Sequence, residues 1–108
     1  MTSDVFTPTG VVLNNIAAER FRQDEKFGRD RDHPDGTGGQ FYVDLARLSK
    51  RNTDAADAAG CLSWKDILTE EVAEVYAETE LAKLRTELVQ VAAVATAWVE
   101  AIDRRERS

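Results

Sequence analysis

At 108 residues the chain is long enough for one domain with a modest core and too short for two. Its 31% charged and 43% apolar residues exclude a disordered chain and fit a soluble globular one. A net charge of −6 argues against a general nucleic-acid binder, although Arg20, Arg22, Lys26, Arg29 and Arg31 make the first third locally basic.

Residues 1–10 hold Thr, Ser, Pro and Gly without periodicity and read as a flexible lead-in to a single helical domain over 11–103. They contain neither the basic nor the apolar region of a signal peptide. From Val11 to about Phe27, Val12, Ile16, Gln23 and Phe27, with Leu13, Ala17 and Phe21, predict a helix with one apolar side and a charged back. Gly28 is its expected stop.

Residues 28–40, GRDRDHPDGTGGQ, contain four of the six glycines and Pro34, which rules out regular structure there. A loop this long in a small domain is functional or mobile. Asp30, Asp32, Asp35 and Gly36 do not make a calcium loop, because Pro34 falls where the third ligand belongs and the glycine comes late. His33, the only histidine, has no second His or Cys with which to hold zinc.

Phe41, Leu45 and Leu48, with Tyr42 and Ala46 alongside, predict a second helix ending near Arg51. TDAADAAG then predicts a further turn or two, with Thr53 as N-cap and Gly60 as terminator. Cys61 is the only cysteine, so an intrachain disulfide is excluded and a reducing cytoplasm is the expected setting; a packing role outweighs a nucleophilic one. Ser63 reads as the N-cap of a third helix, with Asp66 completing an acidic capping box. Trp64, Leu68, Val72 and Val75 form the apolar stripe of that helix, and Ile67, Glu71, Glu74 and Glu78 form its neighbour.

The last helix is expected from Thr79 or Leu81 to about Asp103, followed by a charged, fraying tail over 104–108. Leu84, Leu88, Val91, Ala95, Trp98 and Ile102 make a 4-3-4-3-4 seam, and Trp98 reads as core. Val89, Ala92, Ala93, Val94, Ala97 and Val99 make the middle of the helix apolar on nearly every side. A helix apolar all round is buried all round, which predicts packing against a second subunit. Glu100 interrupts the apolar run before it could span a membrane. With no strand pattern, the chain is expected to be all-α, a four-helix-type bundle that forms homo-oligomers.

Two short motifs carry the chemistry, Glu71-x-x-Glu74 and Glu87-x-x-Gln90. Helix residues three apart share a face about one turn apart. Two such helices packed antiparallel would gather three carboxylates and one amide, a hard-cation site of the kind magnesium uses when phosphates supply its other ligands. Most Glu-x-x-Glu pairs are merely solvated faces. Here, however, neither Glu71 nor Glu74 has a basic residue at i+4: Val75 and Glu78 stand there. Gathered carboxylates repel unless a cation binds. Glu87 and Gln90 also open onto the most apolar helix of the chain, where a partly buried Glu needs a partner.

ILTEEVAEV followed by LRTELVQVAAVATAW resembles the EExxE…ExxD arrangement of the all-α nucleoside triphosphate pyrophosphohydrolases, the MazG-like superfamily. ERFRQDEKFGRDRDHPDG resembles the opening of its small actinobacterial and phage members, so the likeness covers about residues 15–103. The resemblance implies dimers or tetramers and Mg²⁺-dependent hydrolysis of (d)NTP to (d)NMP and pyrophosphate, with Mn²⁺ as an alternative ion. It implies that Glu71, Glu74 and Glu87 are metal ligands, with Gln90 standing where the final aspartate is usual. An amide oxygen can ligate magnesium but brings no charge.

In that reading Glu70 or Glu74 accepts the proton of the attacking water, and the residue pattern does not choose between them. Arg22, Gln23, Lys26, Arg29, His33 and Trp64 are the candidate substrate contacts, with the solvated surface cation as the competing reading for each basic residue. The 28–40 loop would close over the nucleotide. Two alternatives stand beside the enzyme: a nucleotide-binding module that has lost turnover, marked by Gln90, and a structural helical oligomer whose glutamates are surface charge.

Overall fold

Each helix in the computed structural model, which describes residues 6–107, begins and ends at an identifiable local signal. Residues 1–5 of the expected lead-in and Ser108 of the expected tail lie outside the described residues. The elements are α1 (Pro8–Phe27), α2 (Gln40–Ala58), α3 (Trp64–Ala77) and α4 (Leu81–Glu106), with no strand among the described residues. The fold class is therefore all-α.

α1 starts three residues before the expected Val11. Thr7 is its N-cap, with Oγ1 accepting from the Gly10 N–H at 2.9 Å, and Pro8 occupies the first turn. An aperiodic TPTG conceals this, because Thr-Pro is a start signal rather than a linker. Gly28 ends the helix with φ 89°.

α2 departs further from expectation. It is one helix to Ala58 rather than a helix to Arg51 and a separate turn. Thr53 is not an N-cap: its Oγ1 donates to Ser49 O at 2.9 Å, one turn back, and lies 3.3 Å from Asp66 O on α3. Neither glycine nor proline interrupts residues 50–59, and the alanines favour continuation. Termination at Gly60 is as expected. Its φ of 72° lets Gly60 N–H reach Asp57 O and Cys61 N–H reach Ala56 O, the paired bonds of a Schellman ending.

The Ser63 capping box is present in both directions: the Asp66 N–H donates to Ser63 Oγ, and the Ser63 N–H donates to Asp66 Oδ2, each at 3.1 Å. Glu78, expected to extend the acidic stripe of α3, leaves the helix instead. Its carboxylate accepts the N–H groups of Thr79 and Glu80, where negative charge meets the exposed amides that open α4. α4 then runs three residues beyond Asp103, so Arg104, Arg105 and Glu106 are helical rather than frayed.

The chain divides into two compact units. One comprises the residues up to Pro34 with those from Thr96 onward, where Val12, Thr96 and Ala101 are buried and Thr9 Oγ1 donates to Glu100 Oε2. The other, Asp35–Ala95, packs α2 on α3 and buries Ala73, Val75 and Leu84. Burial is thinner than the periodicity predicts. Leu13, Ile16, Phe21 and Phe27 of α1 are exposed, and Trp98 is half-buried rather than enclosed. The α4 middle is not covered by one chain, since Leu88 and Val89 keep 49% and 54% of their surface. No described helix is long and apolar enough to cross a membrane.

Candidate functional site

The capping box at Ser63 sets the phase of α3 and so decides which residues share a face. Glu71 and Glu74 follow one turn apart, and the short connection after Ala77 returns the chain as α4, on which Glu87 lies. Ligand oxygens of Glu71, Glu74 and Glu87 all lie within 4.8 Å of one another, and all three side chains are half-buried.

Three carboxylates so close cannot all be satisfied by one another. Glu74 lies against Glu87, and holding the two carboxyls together favours the protonated form of Glu74. Burial, that contact, and the negative charges of Glu71, Glu87 and Glu70 raise the Glu74 carboxyl to about 7. Glu71 is also raised, by burial first and then by Glu87 and Glu70. Glu71 Oε2 and Glu87 Oε2 remain buried without any hydrogen-bond partner. An orphaned buried oxygen costs about 1–3 kcal/mol, more when charged, so two in one cluster indicate an arrangement shaped for something other than its own stability.

A hard divalent cation fits this donor set, which consists only of oxygens. Two oxygens bound to one magnesium at 2.1 Å are at most about 4.2 Å apart, and about 5 Å apart on calcium. Small side-chain rotations would therefore bring the three groups onto an ion. The ion would neutralise the mutual repulsion and occupy the orphaned lone pairs.

Glu70 is half-buried beside the cluster and adds to its field. Gln90, one turn beyond Glu87, is exposed. Trp64 is half-buried at the first position of α3. The remaining candidates belong to the other unit. Arg22 is held in an ion pair with Glu19 at 2.6 Å, and Gln23 Oε1 accepts from Arg20 at 2.9 Å. The Lys26 ammonium lies over the Phe27 ring, 5.1 Å from its centre, while Arg29 and His33 are exposed. The structure thus gathers Glu70, Glu71, Glu74 and Glu87, and gives Arg22 and Gln23 local partners on their own helix.

Sequence periodicity does not single out Tyr42 and Tyr76, yet they meet edge to face with centroids 5.5 Å apart. They border a cavity of about 230 Å³ whose other walls include Asp35, Thr37, Leu84 and Leu88. The end of the 28–39 loop is fastened there, the Gly38 N–H donating to Tyr76 O at 2.8 Å. Gly38 has φ 103°, and a Cβ on it would lie 2.7 Å from Thr79 Cγ2, so only glycine fits this approach. No local signal in the sequence marks the pair, because the docking through Gly38 is a tertiary contact. The chain matches no protein-family model, no curated protein and no solved structure.

Proposed function

We propose that the protein is a divalent-cation-dependent nucleoside triphosphate pyrophosphohydrolase, cleaving (d)NTP to (d)NMP and pyrophosphate, of the MazG-like kind its motifs resemble. The observation that carries this reading is the convergence of Glu71, Glu74 and Glu87, with two buried oxygens lacking any partner. Bound there, Mg²⁺ or Mn²⁺ would supply charge neutralisation and alignment for the phosphate oxygens.

The chain's own residues have distinct parts in this scheme. Glu71 and Glu87 would hold the cation through their unpartnered oxygens. Glu74, whose carboxyl is raised to about 7, is matched to take a proton from an attacking water, because a general base works best with its ionisation close to the working pH. Water adds to one phosphorus, its proton passes to the Glu74 carboxylate, and the phosphoanhydride bond breaks to leave pyrophosphate. Gln90, exposed and uncharged, is available to contribute an amide oxygen but no charge.

The exposed apolar middle of α4 supports self-association, because a monomer would leave Leu88 and Val89 in water. A dimer or tetramer is the expected solution state. A mass of 12.0 kDa by light scattering would reject it.

The test of function is a panel of ribo- and deoxyribonucleoside triphosphates with Mg²⁺ or Mn²⁺, read by pyrophosphate release. Release of pyrophosphate and monophosphate in equal amounts supports the proposal. Orthophosphate as the product would overturn it. Metal-dependent nucleotide binding without turnover would replace it with the binding-module reading, which the exposed Gln90 favours.

A further inference from the structure

We infer that the cavity closed by the end of the 28–39 loop is a nucleobase pocket, and that Asp35 gives it a preference for bases carrying amino groups. This rests on the nucleotide reading of the carboxylate cluster and extends it to the part of the substrate that chemistry at phosphorus does not touch.

The first support is position. Val75, in the cavity wall, stands one turn beyond Glu71 on α3. Leu84, also in the wall, stands nearly one turn before Glu87 on α4. Both steps run toward the same end, the connection between the two helices. Residues three or four apart share a helix face. The cavity therefore begins about one helical pitch, 5.4 Å, from the carboxylates along the α3–α4 face. A sugar bridges a gap of that order between phosphates held at the acids and a ring held in the cavity.

The second is size and lining. About 230 Å³ is small beside the roughly 300–1,000 Å³ of sites that enclose a whole drug-sized ligand, and suits a single flat ring system. Tyr42 and Tyr76 offer aromatic surface, and Leu84 and Leu88 offer aliphatic surface, the lining that accepts a base face without regard to its sequence of donors and acceptors. The loop segment Asp35–Thr37 forms the remaining wall and is held by the Gly38–Tyr76 bond. The rim is thus set before a ligand arrives.

The third is polarity. Asp35 is the only charged residue among those lining the cavity. An ionised carboxylate accepts hydrogen bonds and donates none. It favours the amino-bearing edges of cytosine, adenine and guanine over uracil and thymine, whose single ring N–H donor lies between two carbonyl oxygens that the carboxylate would repel.

The experiment is an NMR titration of uniformly ¹⁵N-labelled full-length protein with CMP, AMP, GMP, UMP, the free nucleosides and ribose 5-phosphate. Leu88→Trp fills the cavity from a partly exposed position, and Asp35→Asn removes the acceptor's charge. The amides of Gly36, Thr37, Tyr76 and Leu84 should shift with nucleosides and monophosphates and stay still with ribose 5-phosphate. Leu88→Trp should weaken binding at least about tenfold, the scale of one lost base–aromatic contact. Asp35→Asn should erase the preference for amino-bearing bases. Silent cavity amides in wild type overturn the inference, as do amides that shift only on dilution, which would assign the cavity to a contact between copies. If Leu88→Trp does not fold, the wild-type titration decides alone. The two readings fail separately. Cavity shifts without triphosphate hydrolysis leave the pocket and reject the enzyme, whereas equal hydrolysis of triphosphates and tripolyphosphate with silent amides does the reverse.

Discussion

The acidic residues of this molecule fall into two populations, and the contrast is more informative than either alone. On the helix surfaces, Glu19, Asp24, Asp44, Asp54 and Glu80 each have an arginine or lysine three or four positions away, at 2.6–3.8 Å. These are local, mostly exposed pairs, worth a few tenths of a kcal/mol each. Glu71, Glu74 and Glu87 are half-buried, and no lysine or arginine pairs with them among the described residues. They are answered only by one another. Composition counts both sets alike, yet the first decorates helices and the second stores unmet charge. The predictions test whether that division is functional.

The largest effect is expected on turnover. Glu71→Gln or Glu87→Gln keeps the shape of the side chain and removes one of the charges meant for the cation. On the proposed reading each lowers the rate of pyrophosphate release by about 10²–10³-fold, roughly the loss seen when one key electrostatic group of an active site is removed. Glu19→Gln, a paired surface acid, leaves the rate within about twofold. Equal effects from the two classes would abolish the distinction.

A smaller effect is expected on stability when metal is added. A ligand that binds only the native state at ten times its dissociation constant stabilises by about 1.4 kcal/mol, several degrees of melting temperature in a domain of this size. Wild type should show that gain between EDTA and millimolar Mg²⁺ or Mn²⁺, and Glu74→Gln should show much less of it. Gln90→Asp sharpens the comparison by adding a charge where the resembled motif has one. Tighter metal binding would mark Gln90 as a weakened ligand, while lower activity at unchanged metal affinity would reject that account.

How far the sequence reveals this division depends on the range over which each signal acts. The Ser63–Asp66 box and the Gly28 and Gly60 stops are local chemistry, and the structure has all three. The missing i+4 cations around Glu71 and Glu74 are equally local, and that absence marks two of the three site carboxylates before any fold is known. The continuity of α2 through Thr53 was not legible, because a threonine can cap a helix or back-bond within one, and its contact toward Asp66 thirteen residues on is a tertiary fact. The capping turn of Glu78 escapes periodicity for a similar reason: a helical stripe predicts only where a side chain points while the helix lasts. Tyr42 and Tyr76 are brought together by the packing of α2 on α3 and by a loop docked through Gly38, none of which is encoded within one turn of either tyrosine.

The smallest expected effect is also the one that needs no substrate and no metal. In metal-free protein the Glu74 carboxyl is raised from the ordinary glutamate value of 4.5 to about 7, chiefly by burial and by its contact with Glu87. Between those two values the native state keeps a proton that the unfolded chain has released. Stability therefore falls as pH rises through this window, because the native state binds more protons than the unfolded one. The contribution is fully present below about 4.5 and is lost above about 7. Glu74→Gln has no proton to lose there, so its stability should fall less over the same range. The variant should draw ahead of wild type as pH rises, reaching about 0.5–2 kcal/mol at pH 7.5 in EDTA, the usual gain when a binding site is relieved of its strain. Glu19→Gln supplies the reference, expected within about 0.5 kcal/mol of wild type. Denaturant melts at pH 5.0, 6.0 and 7.5 measure the three proteins side by side. A constant difference between Glu74→Gln and wild type across the series would show that the three carboxylates do not share a field, and the cation site would lose its physical basis.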